Sequence, residues 1–336
     1  MEEVILQVQN LRTSFFSQAG ELRAVDDISY DVHKGECVAI IGESGSGKTV
    51  SALSVLRLVP YPPGLIMGGK ILYRGQDLME LNDDEMGEIR GTKISMIFQE
   101  PSAALNPVLT IEEQIKETIL QHNDVTKEEA QQQVVDLLAR VGIPNPETRM
   151  KEYPFQFSGG MQQRAMIAMA MSCHPEILIA DEPTTALDVT VQAQVLEQLN
   201  GLRREFGTAL IIITHNLGIV ARYADAVKIM YGGRIMEYGS TYDIFEDPHH
   251  PYTLGLIEAV PRLDLPRAHG LHTIPGEPPN MATVPRNCCP FHYRCKYVTE
   301  ECRTCRPQLE EVGPDHYCAC FHMDQLDEER KEVLGE

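Results

Sequence analysis

The residues best suited to bind a phosphate group form a glycine-rich run, Gly42-Glu43-Ser44-Gly45-Ser46-Gly47-Lys48-Thr49. An apolar stretch, Val38 to Ile41, precedes this run and a helix-permissive stretch follows it, which is the order that a phosphate-binding loop requires. Glycines let successive backbone N–H groups turn toward a β-phosphate, Lys48 adds a positive charge, and the Thr49 hydroxyl can bind Mg²⁺. The run predicts a nucleoside triphosphate site, and its flanking elements disfavour the alternative of a glycine turn without a ligand.

Two adjacent carboxylates follow a second apolar run. Ile177 to Ala180 would deliver Asp181 and Glu182 to the carboxyl end of a buried strand, where open α/β sheets place their sites. We expect Asp181 to bind Mg²⁺ and Glu182 to orient or deprotonate the attacking water. The alternative is a pair of helix-capping acids before Pro183, which the phosphate-binding loop upstream disfavours.

Single polar residues follow two further apolar stretches. Gln99 comes after Ile94 to Phe98, and its amide can reach both a metal ion and the attacking water. His215 comes after Leu210 to Ile213, where a neutral imidazole can exchange hydrogen bonds near a γ-phosphate. Alone, either residue carries little information, so a catalytic interpretation depends on the whole set.

A second phosphate-facing turn is predicted where a Ser-Gly-Gly sequence opens an apolar helix. The segment reads Phe157-Ser158-Gly159-Gly160-Met161-Gln162-Gln163-Arg164, and Ser158 lies 23 residues ahead of Asp181. Together with the first loop, this turn predicts an ATPase that has two separate phosphate-facing turns.

Composition limits the class of protein. A chain of 336 residues is expected to form about two domains, and its net charge of −20 gives no reason to expect a nucleic-acid partner. The longest apolar runs, such as Ala209 to Ile213, are far shorter than the roughly 20 residues of a membrane helix. The opening Met-Glu-Glu-Val is unlike an export signal, so we expect a cytosolic protein.

Alternating strand-like and helix-like patterns predict an α/β fold. Strands are predicted at 4–8, 28–32, 38–41, 71–73, 94–98, 177–180, 210–213 and 227–230, and helices at 111–120, 127–141, after Ser158 and at 189–206. From about Pro248, frequent prolines exclude long regular elements. We therefore predict an α/β core at 1–99 and 175–250, a helical subdomain at 100–174, and a small irregular cysteine-rich domain at 251–336.

The ordered motifs resemble those of ABC transporter nucleotide-binding subunits, from residue 1 to about residue 250. The resemblance implies a P-loop NTPase fold with a mixed sheet, and ATP hydrolysis with Mg²⁺ bound by Thr49, Gln99 and Asp181. It also implies that two subunits close head to tail around each ATP, with contacts from the phosphate-binding loop of one subunit and from the turn Ser158, Gly159 and Gly160 of the other. Gln163 and Asp188 are further residues expected to contact the nucleotide. Phe15 resembles the aromatic residue that stacks on adenine in this family. The adjacent Phe16 is the other aromatic residue at this place in the sequence.

Further motifs are similar to those of dipeptide and oligopeptide importer ATPases of the D type: Phe98-Gln99-Glu100-Pro101, Leu105-Asn106-Pro107 and Ile274-Pro275-Gly276-Glu277-Pro278-Pro279. The resemblance implies a peripheral subunit at the cytoplasmic face of the membrane. Its expected partners are a homologous F-type ATPase, two permeases and an extracytoplasmic substrate-binding protein. Peptide is the expected cargo, but nickel and oligosaccharide importers share this architecture.

Two functions outside transport are alternatives for a chain with these motifs. ABC ATPases that act on DNA carry long arms or zinc inserts, whereas only about 58 residues separate Gln99 from Ser158. A redox-regulated ABC ATPase without a transport role is the other alternative, and the intact Glu182 disfavours a pure sensor.

Seven of the nine cysteines lie between Cys288 and Cys320. In a cytosolic chain, such clustering favours a metal site over disulfides. Four thiolates suit an iron–sulfur cluster or zinc, and the spacings match neither a ferredoxin run nor a Cys-x2-Cys knuckle. Related importer ATPases have a similar tail, which implies a [4Fe-4S] cluster bound by Cys289, Cys295, Cys302 and Cys320. Zinc, the absence of any metal, and ligation by His292, His316 or His322 stay open.

Overall fold

The computed structural model describes residues 3–18, 20–185, 187–260, 273–326, 330, 331 and 333. They group into two compact units, each built from segments that are distant in sequence. Unit one comprises the segment ending at Leu6, Val32–Cys37 and Tyr73–Ile213. Unit two comprises Gln7–Asp31, Val38–Leu72 and the segment starting at Thr214.

The strands of the described residues are β1 Val4–Ser17, β2 Gly20–His33, β3 Cys37–Ile41, β4 Gly64–Tyr73, β5 Gln76–Asp77, β6 Ile94–Ile97, β7 Ile177–Asp181, β8 Ala209–Thr214, β9 Ala226–Tyr231, β10 Arg234–Ser240, β11 Glu310–Gly313 and β12 His316–Cys318. All eight predicted strands are confirmed. β1 and β2 are much longer than the sequence predicted, because the partner strand satisfies the backbone groups even where the side chains are polar.

The helices are α1 Lys48–Val55, α2 Asp83–Ile89, α3 Pro101–Ala104, α4 Ile111–His122, α5 Lys127–Arg140, α6 Pro146–Arg149, α7 Gly159–Met171, α8 Val189–Phe206, α9 Leu217–Tyr223, α10 Thr241–Glu246, α11 Pro251–Glu258 and α12 Glu300–Thr304. Single 3₁₀ turns occur at Pro154–Gln156 and Met323–Leu326. The helices predicted at 111–120, 127–141, after Ser158 and at 189–206 are confirmed within two residues at each predicted end.

In unit one, β6, β7 and β8 are neighbouring parallel strands with β7 in the middle. Ile177 is in register with Ile94 on one side and with Ala209 on the other. All residues of these three strands are buried, which explains why they read as unbroken apolar runs. Parallel strands end at one edge, so the residues after β6 and β7 share that edge.

The helical part of unit one packs α4, α5 and α7 against one another. Capping boxes at Thr110 and Thr126 satisfy the first N–H groups of α4 and α5. Val134 and Leu138 lie one turn apart on the buried face of α5 and are each 0% exposed. The predicted 3.6-residue periodicity therefore identifies a packed face.

Unit two contains the order β3-β9-β10-β12-β11 and a separate group of neighbours, β2-β1-β4. β3 and β9 are parallel, whereas β9, β10, β12 and β11 pair antiparallel in succession, so the sheet is mixed as predicted. Tyr317 of the cysteine-rich tail is in register with Tyr238 of β10. The tail thus contributes short strands to an existing sheet, which its proline content gave no reason to expect.

None of the helices in the described residues is both long enough and apolar enough to cross a membrane.

Replacing Val134 by Ala should lower the free energy of unfolding by about 2 kcal/mol, because two buried methyl groups are lost and a cavity remains. Urea unfolding followed by circular dichroism measures the change. The matched control is Val108→Ala, at a position that is 75% exposed, and it should change stability by less than about 0.5 kcal/mol. Equal effects from both substitutions would contradict the packing assigned to α5.

Candidate functional site

The phosphate-binding loop in unit two passes very close to two other backbone segments. A Cβ atom on Gly42 would lie 2.1 Å from the carbonyl oxygen of Met230, and one on Gly47 would lie 2.2 Å from that of Ala24. Gly47 also has a φ of 100°, in the region that favours glycine. These two glycines are therefore fixed by space as well as by backbone conformation.

Lys48 is held inside this loop. Its Nζ donates hydrogen bonds to the carbonyl oxygens of Gly42 at 2.8 Å and Glu43 at 2.9 Å, and the residue is 6% exposed. Gly47 is the N-cap of α1 and offers no side chain to the first turn. Because the loop leads into the N-terminus of α1, the positive end of the helix dipole faces the loop. The predicted loop residues Ser44, Gly45 and Thr49 are exposed, and Ser46 is buried.

In unit one, Gln99 and Glu182 meet at the carboxyl ends of β6 and β7. Nε2 of Gln99 donates to Oε2 of Glu182 at 2.9 Å, and the Thr185 hydroxyl donates to the same oxygen at 2.9 Å. Asp181, the last residue of β7, is 2% exposed. The structure therefore brings together two residues that the sequence could associate only through the ordered motifs.

Glu182 has an unusual backbone conformation. Its φ is 44°, a left-handed value that costs free energy for a residue other than glycine. Its N–H donates to the carbonyl oxygen of Ile213 on β8 at 2.9 Å. The neighbouring strand thus holds Glu182 in a turn that directs the chain away from the sheet, a feature that fits a functional position.

The Ser-Gly-Gly turn begins α7 as predicted. Ser158 is the N-cap, its Oγ accepts from the N–H of Met161 at 3.4 Å, and Ser158 and Gly159 are exposed while Gly160 is half-buried. Gln163 is 2% exposed, and its Nε2 has no hydrogen-bond partner among the described residues. The predicted nucleotide contact of Gln163 stays a prediction.

The other predicted residues lie in both units. Asp188 is exposed in unit one and caps α8 by accepting from the N–H of Val191 at 3.0 Å. His215 is exposed in unit two, directly after β8, and Phe15 is half-buried on β1. Their contacts with a nucleotide stay predictions.

The four cysteines predicted as ligands line one cavity of unit two. Cys289, Cys295, Cys302 and Cys320 lie around it, together with Phe291 and Phe321. The N–H of Cys289 donates to the carbonyl oxygen of Cys302 at 2.9 Å, which ties two of the four positions together. Cys305 is exposed and lies outside this cavity, as do the buried Cys288 and Cys318.

Two thiols of this cavity are largely removed from water. Burial, with a smaller contribution from the neighbouring sulfurs, raises the pKa of Cys289 and that of Cys320 to about 12 each. Both thiols are therefore protonated near neutral pH, and a metal would have to displace their protons in order to bind.

A second group of ligand-type residues was not predicted from the sequence, although His316, one of its members, was an alternative ligand for the cysteine site. Asp247, His249 and His316 each place one ligand-type atom within 4.8 Å of the others. His316 Nε2 lies 2.9 Å from Oε1 of the fully buried Glu237, and Arg330 donates to Asp247. Because an arginine already neutralises Asp247, we interpret this group as an ion-pair network. Only the fold brings these residues together, so spacing could not have revealed them.

Two family models match this chain, one nearer its N-terminus and one nearer its C-terminus. The family model for ABC transporters matches residues 25–185, and the model for the C-terminal region of oligopeptide and dipeptide transporters matches residues 236–302. The second match includes three of the four cavity cysteines, Cys289, Cys295 and Cys302.

The chain is similar to solved ATP-binding cassettes. The dimeric cassette MJ0796, in a post-hydrolysis state bound to ADP and Pi, has a TM-score of 0.64 and 25% identity, over 70% of this chain and 98% of that one. CbiO1 from Clostridium perfringens, part of the ABC transporter complex cbiONQ, has a TM-score of 0.62 and 26% identity, over 73% and 92%. The predicted ABC-type P-loop fold is confirmed.

Curated relatives align over almost the whole chain. The dipeptide transport ATP-binding protein DppD of Bacillus subtilis (strain 168) is 48% identical over 323 residues, covering 96% of each chain. The oligopeptide transport ATP-binding protein OppD of Salmonella typhimurium is 48% identical over 318 residues, covering 95% of this chain and 93% of the relative. This protein therefore belongs to the family of ABC transporter ATP-binding proteins for dipeptides and oligopeptides.

Proposed function

We propose that this chain is the ATP-hydrolysing subunit of a peptide importer. The observation that carries the proposal is the contact between Gln99 and Glu182, 2.9 Å long, at the carboxyl ends of two buried parallel strands. This is where an ABC ATPase needs a carboxylate and an amide to position water. The curated relatives named for dipeptide and oligopeptide transport support peptides as the cargo.

Each residue of the proposed site has a defined task. Lys48, already aligned by two backbone carbonyls, binds β- and γ-phosphate oxygens, and the N-terminus of α1 adds N–H donors. Thr49, Gln99 and Asp181 would hold Mg²⁺, which neutralises the developing phosphate charge when it is bound. Asp181 suits this role because it is the last residue of β7 and its carboxylate is a type of ligand that Mg²⁺ prefers. Glu182 accepts a proton from the attacking water, and His215 donates a hydrogen bond to the γ-phosphate.

The proposed assembly is a head-to-tail pair with a homologous F-type ATPase. The exposure of Ser158, Gly159 and Asp188 supports it, because these residues are available to a nucleotide held by a second subunit. Phe15 would stack on adenine. We further propose that the pair works at the cytoplasmic face of the membrane, beneath two permeases that receive peptide from an extracytoplasmic binding protein. ATP closes the pair and hydrolysis reopens it, which would drive the permeases between states.

Replacing Glu182 by Gln should reduce the rate of ATP hydrolysis at least about a hundredfold, because a positioned general base is lost while the shape of the side chain is kept. ATP binding should persist. Phosphate release and filter binding of labelled ATP measure the two properties on the assembled transporter.

Glu128→Gln is the control for this substitution, since Glu128 is exposed in the first turn of α5 and has no part in the proposed site. It should leave hydrolysis unchanged. Normal phosphate release by the Glu182→Gln protein would contradict the role given to Glu182.

Replacing Lys48 and Ser158 should affect different ATP sites. Lys48→Ala should abolish nucleotide trapping on this chain, whereas Ser158→Ala should lower turnover at the phosphate loop of the partner about a hundredfold. Vanadate trapping of a photoreactive ATP analogue, followed by separation of the two ATPases, measures the label on each chain.

The matched control for lost helix capping is Thr126→Ala, because Thr126 caps α5 in the way that Ser158 caps α7. It should leave both labels unchanged. Loss of label from this chain alone in the Ser158→Ala protein would exclude the head-to-tail arrangement.

We also propose that Cys289, Cys295, Cys302 and Cys320 bind a [4Fe-4S] cluster. The support is the cavity that these four cysteines share, which Phe291, Phe321, His292 and His322 also line. Four thiolates are a suitable ligand set for such a cluster, in which each sulfur binds a different iron. Zinc suits the same four ligands, and a metal assay distinguishes the two.

Replacing Cys302 by Ser should remove most of the iron and acid-labile sulfide from anaerobically purified protein, because one ligand of the cluster is lost. Iron and sulfide assays and the visible absorption spectrum measure the content. Cys305→Ser is the control, since Cys305 is exposed outside the cavity, and it should keep the full content. A colourless wild-type protein without iron would contradict the cluster.

A further inference from the structure

The cysteine-rich tail contacts the phosphate-binding loop through one arginine. Nη1 of Arg294 lies 2.7 Å from Oε2 of Glu43, the second residue of the loop. The Arg294 side chain is 5% exposed and that of Glu43 is 25% exposed, so solvent screens the pair only partly. The backbone carbonyl of Glu43 also accepts from Lys48 Nζ, at 2.9 Å. Arg294 therefore pairs with the residue that helps to hold the phosphate-binding lysine.

Several groups besides Glu43 fix Arg294. Its Nε donates to the carbonyl oxygen of Pro275 at 2.9 Å, and its Nη2 donates to that of Ile274 at 3.1 Å. Its backbone N–H donates to the carbonyl oxygen of Phe291 at 3.0 Å, in the turn that carries Cys289 and Cys295. The guanidinium is thus preorganised, and the contact with Glu43 costs little further conformational entropy.

Glu43 has a second contact with a residue outside the loop. The hydroxyl oxygen of Tyr252, on α11, accepts the backbone N–H of Glu43 at 2.9 Å. Tyr252 is 0% exposed and packs edge-on against Tyr231, with ring centroids 4.7 Å apart. Both the backbone and the side chain of Glu43 are therefore fixed by buried groups outside the loop.

An anionic residue in a phosphate-binding loop creates an electrostatic problem. A triphosphate carries several negative charges. If the carboxylate of Glu43 were unpaired, it would repel a triphosphate bound in the loop. A nearby guanidinium removes most of this repulsion. We propose that Arg294 is a positioning residue for nucleotide binding, which acts by neutralising Glu43 so that the carboxylate does not repel the triphosphate. This inference rests on the proposed ATPase function and adds a contribution from the tail to the ATP site.

The test is the affinity of the full-length chain for a fluorescent ATP analogue with Mg²⁺ at low salt. Arg294→Gln should weaken binding about tenfold, because Glu43 is left unneutralised. Arg294→Lys keeps the charge and should bind within about threefold of wild type. Adding Glu43→Gln to Arg294→Gln should restore affinity to within about threefold of wild type, because the repelling charge is gone.

The recovery separates electrostatic positioning from a structural role, since a tail that folds badly would not be repaired by Glu43→Gln. Arg286→Ala is the matched control, because Arg286 is a tail arginine, 67% exposed, that pairs with Glu21 at 2.7 Å. It should bind ATP as wild type does. Wild-type affinity of Arg294→Gln, or a double variant as weak as the single one, would overturn the proposal.

A single variant keeps the test valid if Arg294→Gln does not fold. Glu43→Gln alone should bind the analogue at least as tightly as wild type, because it removes a negative charge and leaves Arg294 beside the loop. A tenfold loss in this variant would overturn the proposal. A wild-type chain that binds no analogue would instead contradict the proposed ATPase function.

Discussion

The closeness of three backbone segments in unit two is the constraint on which the proposed site depends. Gly42 lies against the carbonyl of Met230 and Gly47 against that of Ala24, at distances that leave no room for a side chain. Within this narrow turn, the carbonyl oxygens of Gly42 and Glu43 face inward and bind the ammonium group of Lys48. The ability of the loop to receive phosphate thus follows from packing between strands distant in sequence.

Two largely buried charged side chains, those of Glu237 and Arg294, join the tail to other parts of unit two. Glu237 is 0% exposed and accepts the N–H groups of His249 and His250 at 2.6 and 3.0 Å, while its Oε1 lies 2.9 Å from His316 Nε2. Arg294 joins the tail to Glu43 in the same way. An unpaired buried charge is costly, so these contacts tie the tail to the sheet and loop of unit two.

Much of the fold could be predicted from local pattern. The periodicity of Val134 and Leu138 predicted a buried helix face, and the apolar run before Asp181 predicted a central strand. The prediction of strand ends and of tail strands failed where pairing with another strand decides the structure. β1 extends to Ser17 although many of its side chains are polar, and the tail supplies β12 to an existing sheet. Strand pairing joins residues that are distant in sequence, so local sequence patterns do not predict it.

The sequence by itself determined the chemistry available to this protein: a glycine loop with Lys48, the Asp181-Glu182 pair and a dense group of cysteines. Spacing along the chain suffices there because each motif is local. Only the tertiary structure decided which of these groups meet. It brought Gln99 to Glu182 and collected Cys289, Cys295, Cys302 and Cys320 around one cavity. It also placed Arg294 on Glu43, since contacts between residues about 250 positions apart depend on the packing of the whole unit.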